Sequence, residues 1–279
     1  MQTESHLLLV HQISEATIER WVASLAQTPP ARGTQQSAST TQTHAQLVRA
    51  FCQRLVEQGR LACSSLSEHT FPRAKVPLPD VISPATFEQL MRAGFSQQAA
   101  GADATHQAAR DQVLLWVLFE TGITLSEVCA LRIADLDQHT GLLPVRGTGG
   151  KDRQIPLDPI CLSHLRWYLR QRDAMSRRGL VSRLTGGDPL FSTSGKQPLS
   201  KNRVSMVIAR FRQRAGLSDT TFSPQVLRHS FALRYLQAGG SPQGLQALMG
   251  YEGMAPVRQY LSWYDQLLYE QLQHESQER

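Results

Sequence analysis

Apolar residues recur at helical spacing along most of this 279-residue chain. Ile13, Ile18, Trp21, Val22 and Leu25 share one face of a helix over 12–26, with Ser14 as N-cap and Glu15 in its first turn. The polar stretch QTPPARGTQQSASTTQT then reads as a loop or a weak helix start. A second amphipathic helix is expected from about 44 to 58, with Leu47, Val48, Phe51, Leu55 and Val56 on one face and Gly59 as its stop. The segment FPRAKVPLPDVISP (71–84) carries four prolines, which remove backbone donors and push their neighbours into extended conformations. It reads as a linker between two domains.

Beyond the linker, Ser83 can cap a helix PATFEQLMRAG that ends at Gly94. A polar interval, SQQAAGADATHQ, precedes the strongly apolar helix DQVLLWVLFET, stopped by Gly122. A short helix SEVCALR follows, with Ser126 as cap and Glu127 as its first-turn acid. Residues 141–157, GLLPVRGTGGKDRQIPL, read as two short strands around a glycine-rich turn. The rest is helical, with loops near 184–199 and 215–223. The expected architecture is mainly α with a small β-sheet: a helical domain over 1–75, a linker over 76–84 and a larger domain over 85–279.

Composition narrows the function classes. Hydrophobic residues make up 41% of the chain, enough for real cores, and no run of about 18 apolar residues exists to span a membrane. The N-terminus lacks the basic region and apolar length of a signal peptide. Four cysteines form no CxxC pair, and nine histidines show no ligand spacing, so neither a metal nor another cofactor is expected and a cytoplasmic location fits. The net charge is +6, and it is concentrated: between Lys151 and Arg214 stand 14 basic residues against 4 acidic ones, an excess of ten. Clustered arginine points to a phosphate backbone as partner, or, more plainly, to a solvated basic face.

The chemistry-bearing stretch is QVLRHSFALRYLQAGGSPQGLQALMGYEGMAPVRQY (225–260). Arginine can hold a phosphate bidentately, and tyrosine can attack one. Arg228 and Tyr260, with Lys151 upstream, therefore form a set suited to phosphoryl transfer. Each has a plainer reading: Tyr260 as a packed ring, Lys151 as a turn lysine, Arg228 as a surface arginine.

The pieces FETGITLSEVCALRIADLD (119–137), GTGGKDRQIPL (147–157), QVLRHS (225–230), LMGY (248–251) and RQY (258–260) resemble, in order and spacing, those of the tyrosine recombinase (phage integrase) family. The resemblance runs from about residue 12 to the end. It implies a helical, SAM-like core-binding domain and a catalytic domain that together form a C-shaped clamp on double-stranded DNA. It also implies metal-independent strand cleavage through a 3′-phosphotyrosyl intermediate, as in DNA recombination and DNA integration. Tyr260 then matches the nucleophile, Arg228 the second arginine, and Lys151 the lysine that protonates the leaving 5′-oxygen. His229 matches a less central histidine, grouped here with Arg153, Lys201 and Arg203 as DNA-binding.

Three positions depart from the family pattern. Gln225 replaces a histidine, and Tyr251 a histidine or tryptophan; both can still donate a hydrogen bond to a phosphate oxygen. Thr124 replaces the first arginine in T-G-x-R-x-S-E, and a short neutral hydroxyl cannot replace a bidentate cation. Removing one preorganised donor costs roughly 3–4 kcal/mol, about 10²–10³ in rate, so cleavage is expected to be impaired. Neither Arg110 nor Arg132 is expected to substitute. A non-catalytic DNA-binding regulator on a recombinase scaffold is the alternative reading. After Tyr260, Leu261, Tyr264, Leu268 and Leu272 form an apolar stripe. By resemblance this tail joins copies into a dimer or tetramer on DNA, and packing on its own domain is the other reading.

Overall fold

The computed structural model describes Arg20 and residues 38–60, 77–94, 102–147, 151–177, 184–193, 197–217 and 222–277. The helix expected over 12–26 and the start of the proline segment lie outside the described residues, Arg20 apart. The chain divides into two compact units, Met1–Pro77 and Leu78–Arg279.

In the first unit, α1 (Ala38–Glu57) buries Cys52 and Leu55 and leaves Leu47 and Phe51 exposed. Its backbone is helical from Ala38, ahead of the apolar pattern, because a polar opening carries no periodic signal. Gly59, at φ +66°, follows it as expected.

The second unit begins with an extended segment tied down where the Ile82 amide donates to Ser230 Oγ at 2.8 Å. Helix α2 (Pro84–Gly94) is capped by Ser83, whose hydroxyl accepts from the Thr86 amide. Helix α3 runs Ala102–Thr121, so it starts within the polar interval, nine residues ahead of the expected Asp111. Alanine, the best helix former, carries its first half, and the buried positions are His106, Ala109, Arg110 and Asp111 rather than large apolar residues. Then come α4 (Leu125–Ala130), a 3-10 turn at Ile133–Asp135, and strands β1 (Leu142–Val145) and β2 (Arg153–Pro156). The strands pair antiparallel, Leu142 opposite Pro156 and Val145 opposite Arg153, as the hairpin pattern predicts. Helices α5 (Pro159–Arg177), α6 (Lys201–Arg214), α7 (Pro224–Gln237), α8 (Pro242–Met249) and α9 (Ala255–Gln277) complete it. This is the mainly α architecture with a small sheet that the sequence predicts.

Helix α3 is the hub, packing against α5 and α7, while α8 and α9 pack on α7 and α2 on α6. Phe87, Leu114, Leu115, Leu143, Leu165, Tyr168 and Phe222 lie in the core at zero exposure. Cys161, also in the core, has its thiol pushed up to about 12 by burial, aided by Glu120 and Asp158, so it is inert.

The basic segment is less free than its composition suggests. Arg172 is buried and donates to the carbonyls of Pro189 and Leu190 at 2.7 and 2.9 Å. Arg210 pairs with buried Asp111, which also holds Arg110 at 2.6 Å. These arginines tie α3, α5 and α6 to the 184–193 loop, so a count of charges overstates the surface available to a polyanion.

Candidate active site

The site is assembled around α7. Ser223 caps this helix, accepting from the Val226 amide, and Pro224 opens it. The cap sets the register that places Arg228 and His229 one turn in. Arg228 is half-buried and fixed by backbone: Nη1 donates to the Gly122 carbonyl and Nη2 to the Met249 carbonyl at 2.8 Å. Its guanidinium stands 5.2 Å from the centroid of the Tyr251 ring. Both anchoring carbonyls depend on glycine. Gly122 has φ +60°, and a Cβ there would meet Phe231 at 2.5 Å. Gly250 has φ +70° as the left-handed cap of α8, and a Cβ would meet the Arg153 guanidinium at 2.9 Å.

Tyr260, one turn and a half into α9, is 3% exposed. Its hydroxyl lies 2.8 Å from His229 Nδ1 and 3.4 Å from Tyr251 Oη. Trp263 sets its ring edge-on to both Tyr260 and His229, with centroids 5.3 Å apart in each case. Burial, and then the hydrogen bond and charge of Tyr251, push the Tyr260 phenol well above its ordinary range, against the pull of Arg228. Burial pushes His229 below its ordinary value, and the Arg228 charge adds to that. The phenol is held protonated beside a neutral imidazole. Sequence reasoning grouped His229 with the DNA-binding residues; it did not foresee that the ring nitrogen meets Tyr260. The 31-residue separation between them leaves no local pattern that could have revealed this.

The other side of the site is built from α4 and the hairpin. Thr124 is the N-cap of α4: its hydroxyl accepts from the Glu127 amide, and Glu127 Oε2 accepts from the Thr124 amide at 2.7 Å. This reciprocal capping box displaces Ser126 as the expected cap, and its T-x-x-E signature was legible in the chain. Glu127 Oε1 receives Arg153 Nη1 at 2.5 Å, and Arg153 Nε donates to the Leu248 carbonyl at 2.7 Å. With side-chain exposures of 9% and 10%, this is an interior ion pair. Arg153 is therefore a brace between β2, α4 and α8. Burial raises the Glu127 carboxyl, but Arg153 and Thr124 outweigh it and hold the group below its ordinary value.

Lys151, in the turn before β2, pairs with Glu252 at 2.6 Å, both side chains well exposed. Gln225 is exposed on the first turn of α7, and Lys201 and Arg203 are exposed on the first turn of α6. Arg110 is committed to Asp111 and to the Ser192 carbonyl, and Arg132 to the Gly187 carbonyl, so neither replaces the cation absent at Thr124. Among the described residues no group of three or more His, Cys, Asp or Glu side chains gathers as a metal site. No helix among them is long and apolar enough to cross a membrane.

The model of the Phage integrase family matches residues 85–266. The tyrosine recombinase XerC of Syntrophus aciditrophicus is 27% identical over 213 residues, covering 76% of this chain and 66% of that protein. XerD of Xanthomonas axonopodis pv. citri is 30% identical over 190 residues, covering 68% of this chain and 60% of that protein. The chain thus spans about two thirds or less of the length of these relatives. Among solved structures, XerH recombinase bound to its difH substrate superposes with a TM-score of 0.63 at 18% identity, covering 92% of this chain and 70% of that one. The Tn1549 transposon integrase in complex with transposon right end DNA gives 0.67 at 17% identity, covering 97% and 89%.

Proposed function

The chain belongs to the phage integrase family, and on that premise we propose that it binds double-stranded DNA and breaks and rejoins strands through Tyr260, with cleavage weakened by Thr124. One observation carries the reading: Arg228, His229, Tyr251 and Tyr260 converge on one point although they come from α7, the turn after α8, and α9. A ring packed only for stability has no need of an arginine pinned beside it between two backbone carbonyls. In this reading Arg228 holds the phosphate and stabilises charge on phosphorus, Tyr251 adds a donor, and Lys151 leaves Glu252 to protonate the 5′-oxygen. Lys201 and Arg203 add backbone contacts. The two-domain clamp, a cytoplasmic location and self-association through α9 belong to the same proposal. Exposed Leu268, Tyr269 and Leu272 support a contact between copies.

The second reading, a DNA-binding regulator that does not cut, is favoured by one specific feature. The position of the first arginine has become a helix cap, and Glu127 beside it answers a structural arginine.

Nicked suicide duplexes, enriched by binding from a randomised library, distinguish the two. A covalent adduct on a denaturing gel that disappears in Tyr260→Phe establishes the enzyme. No adduct from the wild type, but one from Thr124→Arg, establishes the regulator. Binding that does not weaken steeply with salt removes the DNA reading altogether.

A further inference from the structure

A tyrosine cannot attack phosphorus efficiently while it keeps its proton, and the proton of Tyr260 needs an acceptor. Gln225 cannot serve, because a carboxamide does not accept a proton near neutral pH and this one is exposed on the first turn of α7. Tyr251 Oη is 3.4 Å away, and a phenol is no better a base than the phenol it would deprotonate. Lys151 is a cation paired with Glu252. His229 Nδ1 stands 2.8 Å from the attacking oxygen, within the reach required of a general base. Arg228, next in sequence, and Tyr260 are the charged or titratable groups beside it, Tyr251 stands on the far side of Tyr260, and the Trp263 ring packs edge-on against the imidazole at 5.3 Å. Burial and the nearby guanidinium keep the imidazole neutral, the form that can accept.

We infer that His229 is the catalytic base of strand cleavage, in the role that Gln225 cannot fill. This rests on the reading of Tyr260 as nucleophile. The Tyr260 O–H bond breaks with its proton passing to Nδ1, while Oη forms the bond to phosphorus. The phosphorus–O5′ bond breaks, and O5′ takes a proton from Lys151 Nζ. On rejoining, the imidazolium returns its proton to Tyr260 and the 5′-hydroxyl returns its own to Lys151. Nδ1 must be the bare nitrogen before the reaction, so the ring is the Nε2–H tautomer.

Single-turnover adduct formation on the selected nicked duplex, from pH 5 to 9, tests this in the wild-type and Thr124→Arg chains. With His229 intact the rate climbs with pH to a plateau as the imidazole loses its proton. His229→Gln keeps a polar side chain of similar reach but cannot take a proton. It is expected to slow cleavage by about 10²–10⁴-fold, abolish the acid limb and leave DNA affinity unchanged. Equal rates and the same pH profile in His229→Gln overturn the assignment. Nitrogen NMR of labelled histidine needs neither cleavage nor a substitution at His229: an unprotonated Nδ1 at neutral pH, perturbed by the isosteric Tyr260→Phe, supports the assignment, and a protonated Nδ1 overturns it. If DNA is bound but no adduct forms in either chain, the cleavage reading fails first and the base assignment falls with it. Adduct formation indifferent to His229 defeats the base assignment alone.

Discussion

The α7–α9 side of the site and the α4–hairpin side draw on similar residue types, yet their polar groups answer to different masters. On the first, Arg228 is fixed by the Gly122 and Met249 carbonyls and faces a cluster of Tyr251, Tyr260 and His229, none of them joined by an ion pair. On the second, the two cations each have a carboxylate partner: Arg153 with Glu127, Lys151 with Glu252. Thr124 satisfies backbone rather than offering a donor outward. A cation anchored by neutral carbonyls keeps its charge for a ligand, and a cation anchored by a carboxylate does not. The difference separates a side poised for an anion from one built for rigidity.

The strongest way to break the comparison is to exchange the two chemistries. Arg228→Ala should lower adduct formation by at least about 10²–10³-fold in single-turnover assays, the loss expected for one preorganised donor. Thr124→Arg should raise it by a similar factor while removing the α4 cap, at a cost of about 0.5–2 kcal/mol read from thermal melts. If Thr124→Arg changes stability but not rate, the α4 side is structural beyond repair by one residue.

Next in size is the stability of the braced side. Glu127→Ala removes half of the capping box and strands the buried Arg153 guanidinium, and breaking such a pair costs about 3–5 kcal/mol. For a domain of this size, with about 2–4 °C lost per kcal/mol, the midpoint of unfolding should drop on the order of 10 °C. An unchanged melting temperature would mean that Arg153 is not held by that pair.

Acid should expose both sides in separate windows. His229 is depressed, so below about pH 6.5 the unfolded chain takes up a proton that the folded one refuses, and stability falls. Glu127 is also depressed. Its contribution is complete above about pH 4.3 and is lost as pH falls through its folded value. Melts from pH 7 down to about pH 2 should show the upper step vanish in His229→Gln and the lower one in Glu127→Gln.

Much of this was legible before any coordinates. The helices from α4 onward, the hairpin and the Ser83 cap follow from periodicity, glycine stops and turn residues. Helix α3 was read short because the turns ahead of Asp111 bury His106, Ala109 and Arg110 rather than large apolar residues. Tyr260, Arg228, Lys151 and Tyr251 could be named from motif spacing. Whether a named arginine faces solvent could not, since that depends on partners far away in sequence: Arg153 found Glu127, and Arg172 found the carbonyls of the 184–193 loop. The same reason concealed His229, whose neighbour Tyr260 arrives from another helix. Thr124 was seen only as a missing arginine, although its capping box lay in four consecutive residues.

The smallest effect tests whether the hairpin side is shut or merely shielded. Lys151 and Glu252 are both exposed, and such surface pairs add little to stability, so Glu252→Gln should leave the melting temperature unchanged. The carboxylate nonetheless competes with phosphate for Lys151 and repels the polyanion. Without it, DNA should bind a few-fold tighter at low salt, and the slope of log affinity against log salt should steepen by ~0.9 if Lys151 gains one phosphate. Lys151→Gln should weaken binding, and Glu252→Gln should add less in that background, where only the repulsion is left to relieve. An equal gain with or without Lys151 would show that Glu252 acts through general repulsion, and that the lysine was never held back.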